Sequence, residues 1–67
     1  MAVAKVIEIT AASTDSFEDA IKQGVAKASE TVRGIQGAWV REQKVELTQD
    51  GTIGEYRVDL KVTFVLD

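Results

Sequence analysis

Residues 53–66 read Ile53-Gly54-Glu55-Tyr56-Arg57-Val58-Asp59-Leu60-Lys61-Val62-Thr63-Phe64-Val65-Leu66, or IGEYRVDLKVTFVL. Tyr56, Val58, Leu60, Val62, Phe64 and Leu66 occupy every second position, and Glu55, Arg57, Asp59, Lys61 and Thr63 lie between them. A period of two is that of a β-strand with one apolar and one polar face. Its apolar face calls for a helix to cover it. Just before this strand, Thr48-Gln49-Asp50-Gly51-Thr52 carries an Asp-Gly pair, a strong hairpin-turn signal. Gly37 to Leu47 is then the partner strand. Strict alternation puts Trp39, Arg41, Gln43, Val45 and Leu47 on one of its faces and Ala38, Val40, Glu42, Lys44 and Glu46 on the other. A two-residue loop pairs odd positions with even ones, whereas a three-residue loop or a bulge pairs odd with odd. One residue of slip moves Trp39 between faces, so the pattern leaves its face open.

Upstream, Asp15 is a good helix N-cap, with Glu18 at capping-box spacing. Phe17, Ile21, Val25, Ala28 and Val32 recur in three- and four-residue steps, the stripe of an amphipathic helix. Glu18 and Lys22 are placed for an i,i+4 ion pair on the opposite face. Ala20, Gly24 and Ala28 are small enough to let the helix lie close to a sheet or a neighbouring helix. Gly34 supplies a stop signal. The β-branched run Val3 to Thr10 reads as a first strand, with Lys5 and Glu8 on opposite faces, and Ala11 to Ser16 as a break. The expected architecture is α+β, in the order β-α-β-β, with a three-stranded antiparallel sheet against one helix in a single domain over residues 1–67.

A chain of 67 residues has a marginal core of its own. It has no cysteine and no histidine, which removes disulfides, thiolate metal sites, cysteine nucleophiles and the commonest general base. Oligomerisation is the stabilising device that remains. One helix covers one sheet face, so a partner subunit is expected to bury part of the other. Eight basic and eleven acidic residues give a net charge of −3, and the cations form no cluster. That excludes nucleic acid as a partner. The N-terminal MAVAKVIEIT is too short and charged for a signal peptide, and no stretch suits a membrane span. A cytoplasmic, soluble protein is expected.

No catalytic constellation is legible. Ser13, Ser16 and Ser29 have no histidine or cysteine partner, and they read as loop and helix residues. Glu42, Glu46, Glu55 and Asp59 are explained by pairing with Lys44 and Arg57. The Asp50-Gly51 turn is too short for a calcium loop, although carboxylates meeting at a symmetry axis suit a hard cation. The scattered glycines form no phosphate loop. Trp39 keeps two readings. It packs between subunits, or, with Gly37 and Arg41 two residues away on either side, it offers an open π-face for an aromatic ligand. In the second reading Arg41 and Arg57 are candidate contacts to ligand carbonyls or phosphate.

From the KVIEIT strand through the Ser-Phe-Glu-Asp-Ala helix start to the closing EYRVDLKVTFVLD, the chain resembles the dodecins, a family of small flavin-binding proteins. The resemblance implies a sheet wrapped partly around the helix and a hollow homododecamer with tetrahedral symmetry. It also implies non-catalytic binding, storage or sequestration of a flavin such as riboflavin, lumichrome or FMN. Flavin-binding dodecins stack the isoalloxazine ring between tryptophans of related subunits, and a glutamine bonds the ring edge. This chain departs at both positions. Where those proteins read Trp-Phe-Glu-Val it has Gly37-Ala38-Trp39-Val40, and the glutamine's place is taken by Arg57. Trp39 is thus displaced by roughly 7 Å along the strand from Gly37, on the same face if no bulge intervenes. The expected site is Trp39, Gly37, Arg41 and Arg57. The alternative is a dodecin-fold shell that binds no flavin and holds metal ions or another ligand, with Trp39 packing between subunits.

Overall fold

The computed structural model describes residues 3–66 and has the element order β1 (Val3–Ser13), α1 (Phe17–Thr31), β2 (Ile35–Leu47) and β3 (Ile53–Leu66). The sheet order is β1-β3-β2, antiparallel throughout. β3 is therefore central, and its alternating pattern has the expected consequence. Val58, Leu60 and Val62 are fully buried beneath α1, whereas Arg57, Asp59 and Lys61 look to the other side. Ala20 joins them in the core, and Ile7, Ile9, Ala11, Phe17, Ile21, Val25 and Ile35 pack around it. Phe17 meets Tyr56 edge-on, with ring centroids 5.1 Å apart.

The small residues set how closely helix and sheet approach. Ala20, Gly24 and Ala28 are the buried row of α1. A Cβ at Gly24 would lie 3.0 Å from the Ala11 Cβ and 3.2 Å from Leu60 Cδ1, so a larger residue would push the helix off the sheet. The helix lies over β1 and β3 and scarcely reaches β2. Its 15 residues span roughly 22 Å, while the molecule extends over 53 Å. Both ends of the sheet therefore project beyond it.

The helix starts one residue later than the capping-box reading places it. Ser16, not Asp15, is the N-cap, and its Oγ accepts from the Asp19 N–H at 2.9 Å. The reason lies in β1, which runs through the expected break to Ser13 because Ala11, Ala12 and Ser13 stay in the ladder opposite Val58, Arg57 and Tyr56. Ser13 Oγ then accepts from the Asp15 N–H and donates to the Asp19 carboxylate. The predicted Glu18–Lys22 pair forms at 3.4 Å. At the other end Val32 caps in extended conformation, its N–H bonded to Ala28 O. Gly34, at φ 77°, does not stop the helix but turns the chain into β2, its carbonyl accepting from Val65 N–H.

The hairpin turn is of the three-residue kind. Thr48 N–H donates to Thr52 O at 2.8 Å and Gly51 N–H to Thr48 O at 3.0 Å, with Gly51 at φ 84°. The strict alternation expected along β2 is overturned. Register shifts occur between Ile35 and Gly37, between Val40 and Glu42, and between Glu46 and Leu47. The middle one leaves Arg41 as an extra residue, so Trp39 lies opposite Lys61 while Gln43 and Val45 lie opposite Val58 and Tyr56. Trp39 and Val45 thus occupy opposite faces. One extra residue lets both Val40 and Val45 face the helix side, which unbroken alternation forbids.

Among the described residues no helix is long and apolar enough to cross a membrane.

Candidate functional site

The face of the sheet away from the helix carries the chemistry. In chain order β3 presents Arg57, Asp59, Lys61 and Thr63 there. Because Lys61 pairs with Trp39 and Thr63 with Gly37, the indole and the glycine are neighbours on this face, with no register break between them. This is the relation the sequence suggested. Trp39 is 49% exposed, half of its surface open to solvent. At Gly37 a Cβ would meet nothing within 4 Å, so bare backbone extends the flat surface beside the ring. Val6, also exposed, lies across Thr63 in the same row.

Trp39 has one cation at its ring. Lys61 places its ammonium 5.9 Å from the ring centroid, at cation–π range. Arg41, thrown out by the bulge, reaches across the face and pairs with Glu8 at 3.2 Å. Lys61 is the residue that sequence reasoning missed. Its partnership with Trp39 follows only from odd-with-odd pairing, one of the two registers the turn allowed.

Arg57 stands apart. It lies four residues along β3 from Lys61, roughly 13 Å away. Its Nε donates to Glu55 at 2.7 Å and lies 3.9 Å from Glu46. The Glu55 bond, then the charges of Glu55, Glu46 and Asp59, hold the guanidinium above its ordinary pKa despite some desolvation. One chain therefore joins Trp39, Gly37 and Arg41 but not Arg57. Arg57 instead lines a shallow cleft of about 210 Å³ with Thr10, Glu42, Gln43, Lys44 and Asp59, below the usual range for a small-molecule pocket. A more open groove of about 490 Å³ runs between α1 and β1 over Ile9, Ala11 and Ala28, with Gln23, Lys27 and Thr31 also lining it.

For a flavin, the fit is a flat one: an exposed indole continued by bare backbone, with the Lys61 ammonium over the ring. For a metal ion, Glu42 and Asp59 face each other directly across β2 and β3, and Thr10 Oγ1 donates to Asp59 at 3.0 Å. Among the described residues no three acidic, histidine or cysteine side chains converge on one point.

Comparisons with known proteins agree along the whole chain. The Dodecin family model matches residues 3–67. The calcium dodecin of Mycobacterium tuberculosis is 39% identical over 64 residues, covering 96% of this chain and 89% of that protein. The dodecin of Streptomyces davaonensis superposes with a TM-score of 0.92 at 32% identity, over 98% of this chain and 96% of its own. The tt0972 protein of Thermus thermophilus does so with a TM-score of 0.92 at 31% identity, over 100% and 97%. With β-α-β-β order, central β3 and these matches together, the chain belongs to the dodecin family.

Proposed function

We propose that this protein is a non-catalytic, cytoplasmic binding shell, a homododecamer that holds flat aromatic ligands of the flavin class on platforms built from Trp39 and Gly37. The observation that carries this reading is the half-exposed indole lying next to bare backbone on the helix-free face. Every other aromatic residue is at least partly packed into the molecule: Phe17, Tyr56 and Phe64 are only intermediate in exposure. Stacking of an aromatic ligand on an exposed side-chain ring contributes about 1–3 kcal/mol, and two facing subunits double it. In this arrangement Arg41 is a nearby polar contact, and Arg57 reaches the ligand from a neighbouring copy. Assembly is supported by apolar residues at both uncovered ends of the sheet, Val3 with Leu66 and Leu47 with Ile53, each 45–62% exposed. Titration of riboflavin, lumichrome and FMN, followed by flavin fluorescence, tests the reading. Quenching with micromolar protein is the expected result, and unquenched emission for all three sinks it.

A second reading has an observation of its own. The Mycobacterium tuberculosis relative is a calcium dodecin, and Glu42 and Asp59 are carboxylates directly opposed across the strands. Calcium takes six to eight oxygen ligands, so two carboxylates of one chain need symmetry-related copies to complete a site. A calorimetric titration with Ca²⁺ separates the readings: heat that disappears in Glu42→Gln favours the ion shell, and its absence removes it.

A further inference from the structure

We propose that Lys61 is a specificity-determining residue of the Trp39 platform, selecting flat aromatic ligands that carry an anionic group. The inference rests on the platform reading above. Lys61 lies directly opposite Trp39 on the central strand, its Nζ 5.9 Å from the indole centroid. Its other cross-strand neighbour, Glu8, is held by Arg41 at 3.2 Å. The Lys61 charge is therefore turned toward the ring and whatever lies upon it. Lys61 is the cation at the Trp39 ring, beside the Arg41–Glu8 pair, in a chain whose net charge is −3. Further along the same face the balance reverses, with Glu42, Glu46, Glu55 and Asp59 against Lys44 and Arg57. The cation that the structure places at the ring is Lys61.

A ring laid over Gly37 and Trp39 brings its substituents beside Lys61, whose long stem lets the ammonium follow them. A neutral ligand gains stacking alone. An anionic one gains a charge-assisted hydrogen bond as well. Were Lys61 only covering the indole with its stem, charge would make no difference and an apolar replacement of similar length would serve equally.

FMN and riboflavin share a ring system and differ by a phosphate, so they isolate this effect. Both are titrated against the wild-type protein, Lys61→Met and Lys61→Arg at low salt, by flavin fluorescence. FMN should bind roughly five- to tenfold tighter than riboflavin to the wild type. Lys61→Met should erase that ratio, and Lys61→Arg should keep it. A ratio near one in the wild type, or one unchanged in Lys61→Met, overturns the role of Lys61 while the platform stands. A second measurement needs no flavin: iodide and caesium quenching of the emission of Trp39, the only tryptophan. Iodide should quench more strongly than caesium, and Lys61→Met should narrow the difference. If neither flavin binds, the platform reading falls. Quenching then decides for Lys61 alone: a lost iodide preference in Lys61→Met supports anion selection at Trp39, and an unchanged one overturns it.

Discussion

In the proposed platform Trp39 acts by being exposed, so its removal should separate binding from folding. Trp39→Ala is expected to weaken flavin binding by about 10- to 100-fold. Because half of the side chain is already in solvent, the melting temperature should move little. A large fall in melting temperature, or in dodecamer mass, would instead mark Trp39 as a subunit-packing residue. Two carboxylates make a prediction about acid. Hydrogen bonds from Ser13 and then Gln23 hold the Asp19 carboxyl below its usual range, against a small desolvation that raises it. Hydroxyls of Thr48 and Thr52 do the same for Asp50. Both groups have folded pKa values below the unfolded ones, so their contribution is complete above about pH 4 and fades as pH falls further. Asp19→Asn should flatten that part of an acid-unfolding curve, read by circular dichroism. An acid limb of unchanged slope would discount the Asp19 bonds. The pairing of Gly37 with Trp39 on one face was legible in the sequence. Lys61 was not, because its place beside Trp39 depends on a register the turn left ambiguous.

The secondary-structure elements owe their form to a few positions where local preference and packing compete, and α1 shows which prevails. Alanine at Gly24 would improve helix propensity by about 1 kcal/mol. It would also place a Cβ 3.0 Å from that of Ala11, which the ladder holds in place, and 3.2 Å from Leu60. Overpacking of this kind costs about 1–3 kcal/mol, so Gly24→Ala should be net destabilising by roughly 1 kcal/mol in chemical denaturation. Stabilisation would show that the helix can lift without loss. The cap gives a paired comparison. Ser16→Ala should cost about 1 kcal/mol, and Asp15→Ala much less, since Ser16 Oγ is the group that accepts the Asp19 N–H. The stripe of α1 and the bounds of β3 could be read directly, because their periods run unbroken. The cap and β2 could not. Ser13, Asp15 and Ser16 all suit a helix start, and only the ladder at Ala11 to Ser13 selects among them. In β2 the period is interrupted at Arg41, a break that alternation cannot announce: Val40 and Val45 differ in parity, and only their pairing with Leu60 and Tyr56 shows that both face the helix side.

In the whole molecule, burial and exposure are unevenly shared. The fully buried large side chains are Val58, Leu60 and Val62, each worth roughly 1.5–3 kcal/mol, a thin core for a chain of this length. At the same time Leu47 is 62% exposed, its cross-strand partner Ile53 49%, and Val3 and Leu66 at the opposite end of the sheet 58% and 45%. The helix is too short to reach either end, so among the described residues nothing covers them. The β-α-β-β order was legible, but which surface the helix leaves uncovered depends on how far the sheet outruns it. If these ends are buried between subunits, stability and assembly are one quantity and the melting temperature must rise with protein concentration. Leu47→Ser with Ile53→Ser should then lower the mass seen by native mass spectrometry and the melting temperature together. The single change Leu60→Ala should cost about 2–5 kcal/mol by opening the core itself. An intact dodecamer carrying the double serine substitution would mean that this end stays in solvent. The shell would then have to close through the Val3–Leu66 end and the groove between α1 and β1.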